Sequence, residues 1–150
     1  MLYFSTSLRP TKDGRSLARI MADIFGGMYE NRGNKSFENL ISRATYFGYK
    51  IMAIVNETRG KPNAIVFYKI KDGIPRWEHM GKFVVDEVKE VNLEKKVPSE
   101  IKGRCKLAKE LKLILPTVPE KRRGDSTVSL NSKGISVNNE LVIKGKWTFY

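Results

Sequence analysis

The sequence predicts an α/β fold, a mixed sheet with helices packed on it. Three observations predict it. Short apolar runs alternate with helical periodicity early in the chain. Two nearly continuous apolar runs follow, Ile51 to Val55 and Ala64 to Ile70, of the kind that is covered on both faces. The C-terminal stretch then alternates apolar and polar residues between turn signals. Strands alternating with helices imply that part of the sheet is parallel. The 150 residues are enough for one domain with a substantial core, and 41% hydrophobic residues are too many for a disordered chain.

Each element has a local reason. Leu2-Tyr3-Phe4 reads as a strand, and Pro10 closes the loop behind it. Asp13 is positioned to cap a helix whose apolar stripe is Leu17, Ile20, Met21 and Ile24; Gly26-Gly27 ends it. Met28-Tyr29-Glu30 is a brief second strand or an extended connector. Ser36 reads as the cap of a second helix with the stripe Phe37, Leu40, Ile41, Ala44 and Phe47, stopped at Gly48.

Ile51 to Val55 is a central strand, Glu57 to Asn63 a loop, and Ala64 to Ile70 the next strand. After a turn over Lys71-Asp72-Gly73-Ile74-Pro75, alternation puts Trp77, His79, Phe83 and Val85 on one side of a strand. The pattern blurs between Asp86 and Val97. A helix is then expected from Pro98-Ser99 through Ile101, Ala108 and Leu111, its outer face lined by Lys102, Arg104, Lys106, Lys109 and Lys112. Leu113 to Leu115 reads as a short strand and Pro116 to Asp125 as a mobile basic loop. A meander closes the chain, with Leu141, Ile143, Trp147 and Phe149 on one face of its last strand and Lys144, Lys146 and Thr148 on the other.

Composition excludes several functions. The formal net charge of +12 favours an acidic partner over a neutral substrate. A single cysteine, Cys105, permits no intramolecular disulfide and suits a reducing compartment; it is expected to be a small buried side chain. With one Cys and one His, zinc fingers and ribbons are out of reach, so neither metal nor cofactor is expected. A Ser-His-Asp triad would have to use His79, which has no nucleophile motif beside it, so no catalytic residue is assigned. No apolar run approaches the ~20 residues of a membrane span, and Met1 to Phe4 is too short for a signal-peptide core. A cytoplasmic protein without membrane contact is expected.

Three segments carry the remaining chemistry. Asn31-Arg32-Gly33-Asn34-Lys35-Ser36 sits between two helical patterns and joins a turn-forming glycine, two cations and a capping serine. A helix N-terminus offers free N–H groups and partial positive charge, so Arg32 and Lys35 beside it suit a phosphate. Ser5 to Thr11 and Glu57 to Asn63 have similar make-up, with Arg9, Lys12, Arg59, Gly60 and Lys61 in or beside them. Arg15 lies in a first helical turn, where a cation opposes the dipole, which points to a role other than stability. No nucleotide-binding loop is present, because Gly33-Asn34-Lys35-Ser36 lacks the earlier glycine and the Gly-Lys pair. Cations, hydroxyls and amides at loop and helix ends suit backbone phosphates and 2′-hydroxyls better than base edges.

At these segments the chain resembles the Brix-domain family of ribosome-biogenesis proteins. The resemblance rests on Ser5-Thr6-Ser7, Arg9-Pro10 and Arg15, on Asn31-Arg32-Gly33 with Ser36, and on Glu57, Arg59-Gly60 and Pro62 before the strand Ala64 to Tyr68. It covers about residues 2 to 70 and returns at the closing strand. Leu8 departs from it, standing where the family often has a further basic residue. The resemblance implies two similar halves, each like the anticodon-binding domain of class II aminoacyl-tRNA synthetases. It implies one Brix-like domain over 1–150, with a half boundary near 86–97. It further implies a non-catalytic factor that binds ribosomal RNA or its precursor during subunit assembly and processing, alongside other assembly factors. The expected RNA-binding residues are Arg9, Lys12, Arg15, Asn31, Arg32, Gly33, Lys35, Ser36, Arg59, Gly60 and Lys61. An anticodon-binding-like module for tRNA or a synthetase, a ribonuclease built on Asp86, Glu87 or His79, and a protein-binding factor using Trp77 or Trp147 are the alternatives.

Overall fold

The computed structural model describes residues 1–71 and 73–149. Asp72, in the turn expected before Pro75, and Tyr150, at the end of the last run, lie outside the described residues. The elements in order are β1 (Leu2–Thr6), α1 (Lys12–Phe25), β2 (Met28–Tyr29), α2 (Phe37–Tyr46), β3 (Ile51–Thr58), β4 (Lys61–Ile70), β5 (Trp77–Val88), β6 (Glu100–Gly103), α3 (Lys106–Ile114), β7 (Thr127–Asn131), β8 (Gly134–Val137) and β9 (Glu140–Phe149). The strands form one mixed sheet in the order β2-β1-β3-β4-β5-β9-β8-β7-β6. β1 runs parallel to β2 and β3, and β6 runs parallel to β7; the other pairings are antiparallel.

One path is traced twice. Strand, helix, parallel strand and two hairpins describe β1-α1-β3-β4-β5 and again β6-α3-β7-β8-β9. The last strand of each path, β5 and β9, pair antiparallel at the middle of the sheet. Only the first path carries the insertion β2-α2.

The sheet is covered unevenly. The larger core packs Leu17, Met21 and Phe25 of α1 and Leu107 and Leu111 of α3 against one face. The smaller core packs Leu40, Ile41 and Ala44 of α2 against the other. Pleating assigns β1 to both, Leu2 and Phe4 to the first and Tyr3 to the second, which is why its sequence is apolar without alternation. No helix among the described residues is long and apolar enough to cross a membrane.

The structure departs from the sequence pattern at six places. Thr11, not Asp13, caps α1. The helix expected from Pro98 starts only after Cys105, and Glu100–Gly103 is β6, with Ile101 buried between exposed Glu100 and Lys102. A single buried residue in so short a segment does not separate a period of 2 from one of 3.6. Leu113 to Leu115 is no strand: α3 runs to Ile114 and a 3-10 turn follows at Leu115–Thr117. The basic loop beyond it is tied down, because Arg123 donates to the carbonyls of Leu115 (2.9 Å) and Val118 (2.8 Å). In β5 the pairing slips at Met80, so Trp77 and His79 face the α2 side while Phe83 faces the α1 side. In β9 a similar slip at Val142 puts Leu141 and Ile143 on opposite faces.

Phe83 lies at the junction of the two paths, fully buried, its ring centroid 4.5 Å from that of Trp147 on β9. Phe83→Ala is expected to cost about 3–5 kcal/mol in urea unfolding. Val84→Ala, one residue along and 36% exposed, is expected to cost less than about 1 kcal/mol. Equal effects would contradict the assignment of faces along β5.

Candidate nucleic-acid interface

The three cationic segments lie side by side at the carboxyl ends of β1, β2 and β3. β1 sits between β2 and β3, so the chain reverses its direction of travel across the sheet there, and α1 and α2 fall on opposite faces. Such a reversal leaves a crevice at the strand ends, the usual ligand position in open α/β sheets. Both helix N-termini open onto it.

The loop after β1 is the middle element. Ser7 N donates to Val55 O at 2.9 Å, holding the loop to β3. Thr11 is the cap of α1: its hydroxyl oxygen accepts from Gly14 N at 3.3 Å. The same hydroxyl donates to the Glu57 carboxylate, and Thr11 N donates to Glu57 Oε2 at 3.0 Å. Glu57 thus ties the β3–β4 hairpin to the start of α1, where a carboxylate is also favoured by the helix dipole. The approach needs Gly14, since a Cβ there would lie 2.8 Å from Glu57 Oε1. Arg15 Nη1 donates to Pro10 O at 2.9 Å, folding the half-buried arginine back along the loop.

The segment before α2 is tied to the same loop by Arg32. Sequence reasoning groups Arg32 with the cations that meet phosphate, but the structure turns it inward. It is 7% exposed, Nε donates to Lys35 O and Nη1 to Thr6 O, both at 2.8 Å. Burial lowers its pKa from the usual arginine value, and a guanidinium remains charged even so. Lys35 Nζ donates to Asn31 O at 2.9 Å, and Ser36 Oγ accepts from Asn39 N at 3.1 Å as the cap of α2. Asn31, Gly33 and Ser36 are exposed.

The loop expected over Glu57 to Asn63 is a tight hairpin whose two central residues are Arg59 and Gly60. Both have left-handed backbone, φ 53° and 77°. This is what a two-residue turn that matches the strand twist requires. The tip abuts the cap of α1: a Cβ on Gly60 would lie 4.0 Å from Thr11 Cγ2. Arg9, at the tip of the neighbouring loop, also has a left-handed backbone, φ 53°. Arg9, Lys12, Arg59, Gly60 and Lys61 are exposed. Asp13 and Glu38, in the first turns of α1 and α2, Glu57 against the start of α1, and Glu30, 3.9 Å from Lys35 Nζ, are the opposing charges. Arg9, Lys12, Arg15, Lys35, Arg59 and Lys61 outnumber them.

Sequence reasoning did not assign the structural ties Glu57, Thr11 and Glu30. The spacing Thr11-x-x-Gly14 was the one local hint of a cap. Glu30 accepts from Tyr3 Oη and from Arg43 Nη2, each at 2.8 Å, and from Arg43 Nε, joining β1 to α2 just before the cationic segment. His79 is exposed on β5, its ring 5.0 Å from that of Tyr68. Cys105 is half-buried just before α3, and burial pushes its thiol up, away from the reactive thiolate.

No family profile matches the chain. A probable Brix domain-containing ribosomal biogenesis protein of Pyrococcus abyssi is 30% identical over 90 residues, which is 59% of this chain and 39% of that protein. The corresponding protein of Archaeoglobus fulgidus is 24% identical over 151 aligned positions, covering the whole chain and 88% of its own length. The chain is thus similar in sequence to archaeal Brix-domain proteins. Its matches span about two fifths of the Pyrococcus abyssi and Thermococcus kodakarensis Brix-domain relatives, 39% and 42% of their lengths. The Brix-type fold is shared with solved structures. A probable ribosomal biogenesis protein of Aeropyrum pernix superposes with a TM-score of 0.61 at 20% identity, covering 99% of this chain and 93% of its own. Mil, an archaeal Imp4-like protein, also gives 0.61, at 19% identity with full coverage of both chains.

Glu30 makes a test of how the cationic segment is held. Arg43 keeps its carboxyl below the usual 4.5, helped by Tyr3, against a smaller opposing effect of burial. A lowered folded-state value means that the stabilisation is present above about pH 4.5 and is lost as pH falls through the folded value. Glu30→Gln is expected to cost about 1–3 kcal/mol at pH 7. The gap to wild type should narrow steadily below pH 4.5. Urea midpoints measured from pH 7 to pH 3 check both; a gap that is constant with pH would contradict the role of the carboxylate.

Proposed function

We propose that this protein is a non-catalytic RNA-binding factor in ribosome biogenesis, acting in the cytoplasm on ribosomal RNA or its precursor. Its relatives carry the name of ribosomal biogenesis proteins, and its net charge of +12 favours an acidic partner. Residues 1–150 act as one Brix-like unit in this reading, and other assembly factors would dock elsewhere on it.

One observation carries the assignment. Two neighbouring loop tips hold arginine, at Arg9 and Arg59, where the backbone is left-handed. Glycine or asparagine would sit there at less cost, since a left-handed position costs an ordinary side chain roughly 1 kcal/mol. Strain tolerated at exposed cations points to function at those cations.

In this reading Arg9, Lys12, Arg15, Lys35, Arg59 and Lys61 neutralise phosphates. Asn31 and Ser36 bond sugar or phosphate oxygens; a serine hydroxyl that accepts from a helix N–H still has its own proton to donate. Gly33 and Gly60 let the RNA backbone come close. Arg32 acts as a positioning residue, since its bonds to Thr6 O and Lys35 O hold two loops in register.

Arg59→Asn separates function from stability. It should raise the unfolding free energy by about 0.5–1 kcal/mol, because asparagine suits the turn. It should weaken binding of a ribosomal-RNA fragment roughly 5- to 10-fold near 0.1 M salt, the share of one phosphate contact. Replacing Arg9, Arg59 and Lys61 together by glutamate should flatten the salt slope by about one unit per cation. Unchanged affinity and slope would remove the site, and crosslinking in cells that recovers tRNA in place of ribosomal RNA would redirect the function.

A further inference from the structure

We propose that a second, separate site takes the terminal phosphate of a ribonucleotide, free or at the end of an RNA strand. It is a concave cavity of about 420 Å³ at the opposite end of the sheet, where the C-terminal ends of all three helices meet the segment 95–97 and the 3-10 turn Glu120–Arg122. The eight residues of β3 put it about 25 Å from the tip of the β3–β4 hairpin.

Besides Lys50, just before β3, four cations reach the cavity from two separate segments: Lys95 and Lys96 from one, Lys121 and Arg122 from the other. No carboxylate of the described residues lines it. Among the described residues none of the four forms an ion pair. They are held there by backbone structure. The helix α1 ends at Gly26, whose cap packs directly on the backbone of Lys96 and Val97. Val97 N donates to Arg122 O at 3.2 Å, joining the two cationic segments, and Arg123 anchors the turn from below through the Leu115 and Val118 carbonyls.

Helix C-termini attract cations, so that explanation must be weighed first. Each helix end carries about half a negative elementary charge, near 1.5 for three. Even without Lys50, the four positive charges of the two segments exceed that by about 2.5. The C-terminal carbonyls are also partly engaged, since Gly27 N donates to Ala22 O (2.8 Å) and Tyr49 N to Ala44 O (2.9 Å). A phosphate monoester brings about −1.5 to −2, close to what is missing, whereas an internal phosphodiester brings only one charge. Concavity favours an end over a continuous strand, and the volume lies within the range of small-ligand pockets.

The mouth supplies a surface for a base. Phe47 lines it, 44% exposed, with Tyr46 beside it at 85% and the two rings 5.4 Å apart. Aromatic faces at such a position stack bases of any sequence. Tyr49, also in the wall, feels Arg122: burial pushes its hydroxyl up and the guanidinium pulls it partly back. A cation close to a wall hydroxyl offers a phosphate a charge and a hydrogen bond together.

The test compares a short 5′-phosphorylated RNA oligonucleotide with its 5′-hydroxyl twin and with adenosine monophosphate, using the full chain. Wild type should bind the phosphorylated oligonucleotide at least about five-fold tighter than its twin. K121Q combined with R122Q, both on an exposed turn, should abolish the preference without lowering the melting temperature. If that pair destabilises the fold, Lys95→Gln should still reduce the preference. Monophosphate binding as tightly as the oligonucleotide would identify a free nucleotide as the ligand; much weaker binding would identify an RNA end. The triple glutamate variant of Arg9, Arg59 and Lys61 should keep the preference while losing overall RNA affinity, which separates the two sites. Equal binding of the twins by wild type, or a preference that survives in the K121Q and R122Q variant, would overturn the proposal.

Discussion

Parallel pairing of β1 with β2 on one side and β3 on the other is the constraint from which the architecture follows. Parallel neighbours need crossover connections, and the two crossovers are α1 and α2. Each leaves the carboxyl end of one strand and returns to the amino end of the next. The chain steps from β1 to β2 in one direction and from β2 to β3 in the other, so two crossovers of the same hand place the helices on opposite faces. Two helix N-termini and three loops therefore share one edge of the sheet, and helix C-termini share the other.

That polarity makes the edges electrostatically different. At the first edge helix dipoles and side-chain cations have the same sign, and two internal ties absorb the tension. Glu57 puts a carboxylate against the start of α1, and Arg32 spends its guanidinium on two carbonyls. The exposed cations around them are thereby fixed in place without being neutralised. At the second edge the dipoles oppose the cations, which lowers the energy of gathering Lys95, Lys96, Lys121 and Arg122 around one cavity.

The repeated path explains the uneven cover of the sheet. Both passes place their helix, α1 or α3, on the same face. Only the first pass inserts β2 and α2, so the other face is helix-covered over β1, β3 and β4 alone. Beyond them the strands expose Lys82, Lys144 and Lys146 in rows with Val84 and Thr148, which is why β9 alternates so clearly in sequence.

Much of this was legible in the residues themselves. The stripe of α1, the Ser36 cap, the Gly26 stop, the apolar β3 and the hairpins of the meander each depend on neighbours within a few positions, and local chemistry suffices to read them. The resemblance carried by Asn31-Arg32-Gly33 and Arg59-Gly60 likewise lay in contiguous segments. Other features needed partners far along the chain. Thr6 and Arg32 are 26 residues apart, Thr11 and Glu57 46 apart. Whether an arginine points to water or to a carbonyl is settled by such a partner, so Arg9 and Arg32 look alike in sequence and differ in the fold. The slips at Met80 and Val142 come from fitting each strand to the neighbour across from it, and β6 exists as a strand only because β7 is there to pair with it. The sequence by itself determined most of the elements, the cap of α2 and the sign of the charge; tertiary structure alone decided which side chains share a face and which charges remain exposed, because both depend on contacts between segments that no local pattern encodes.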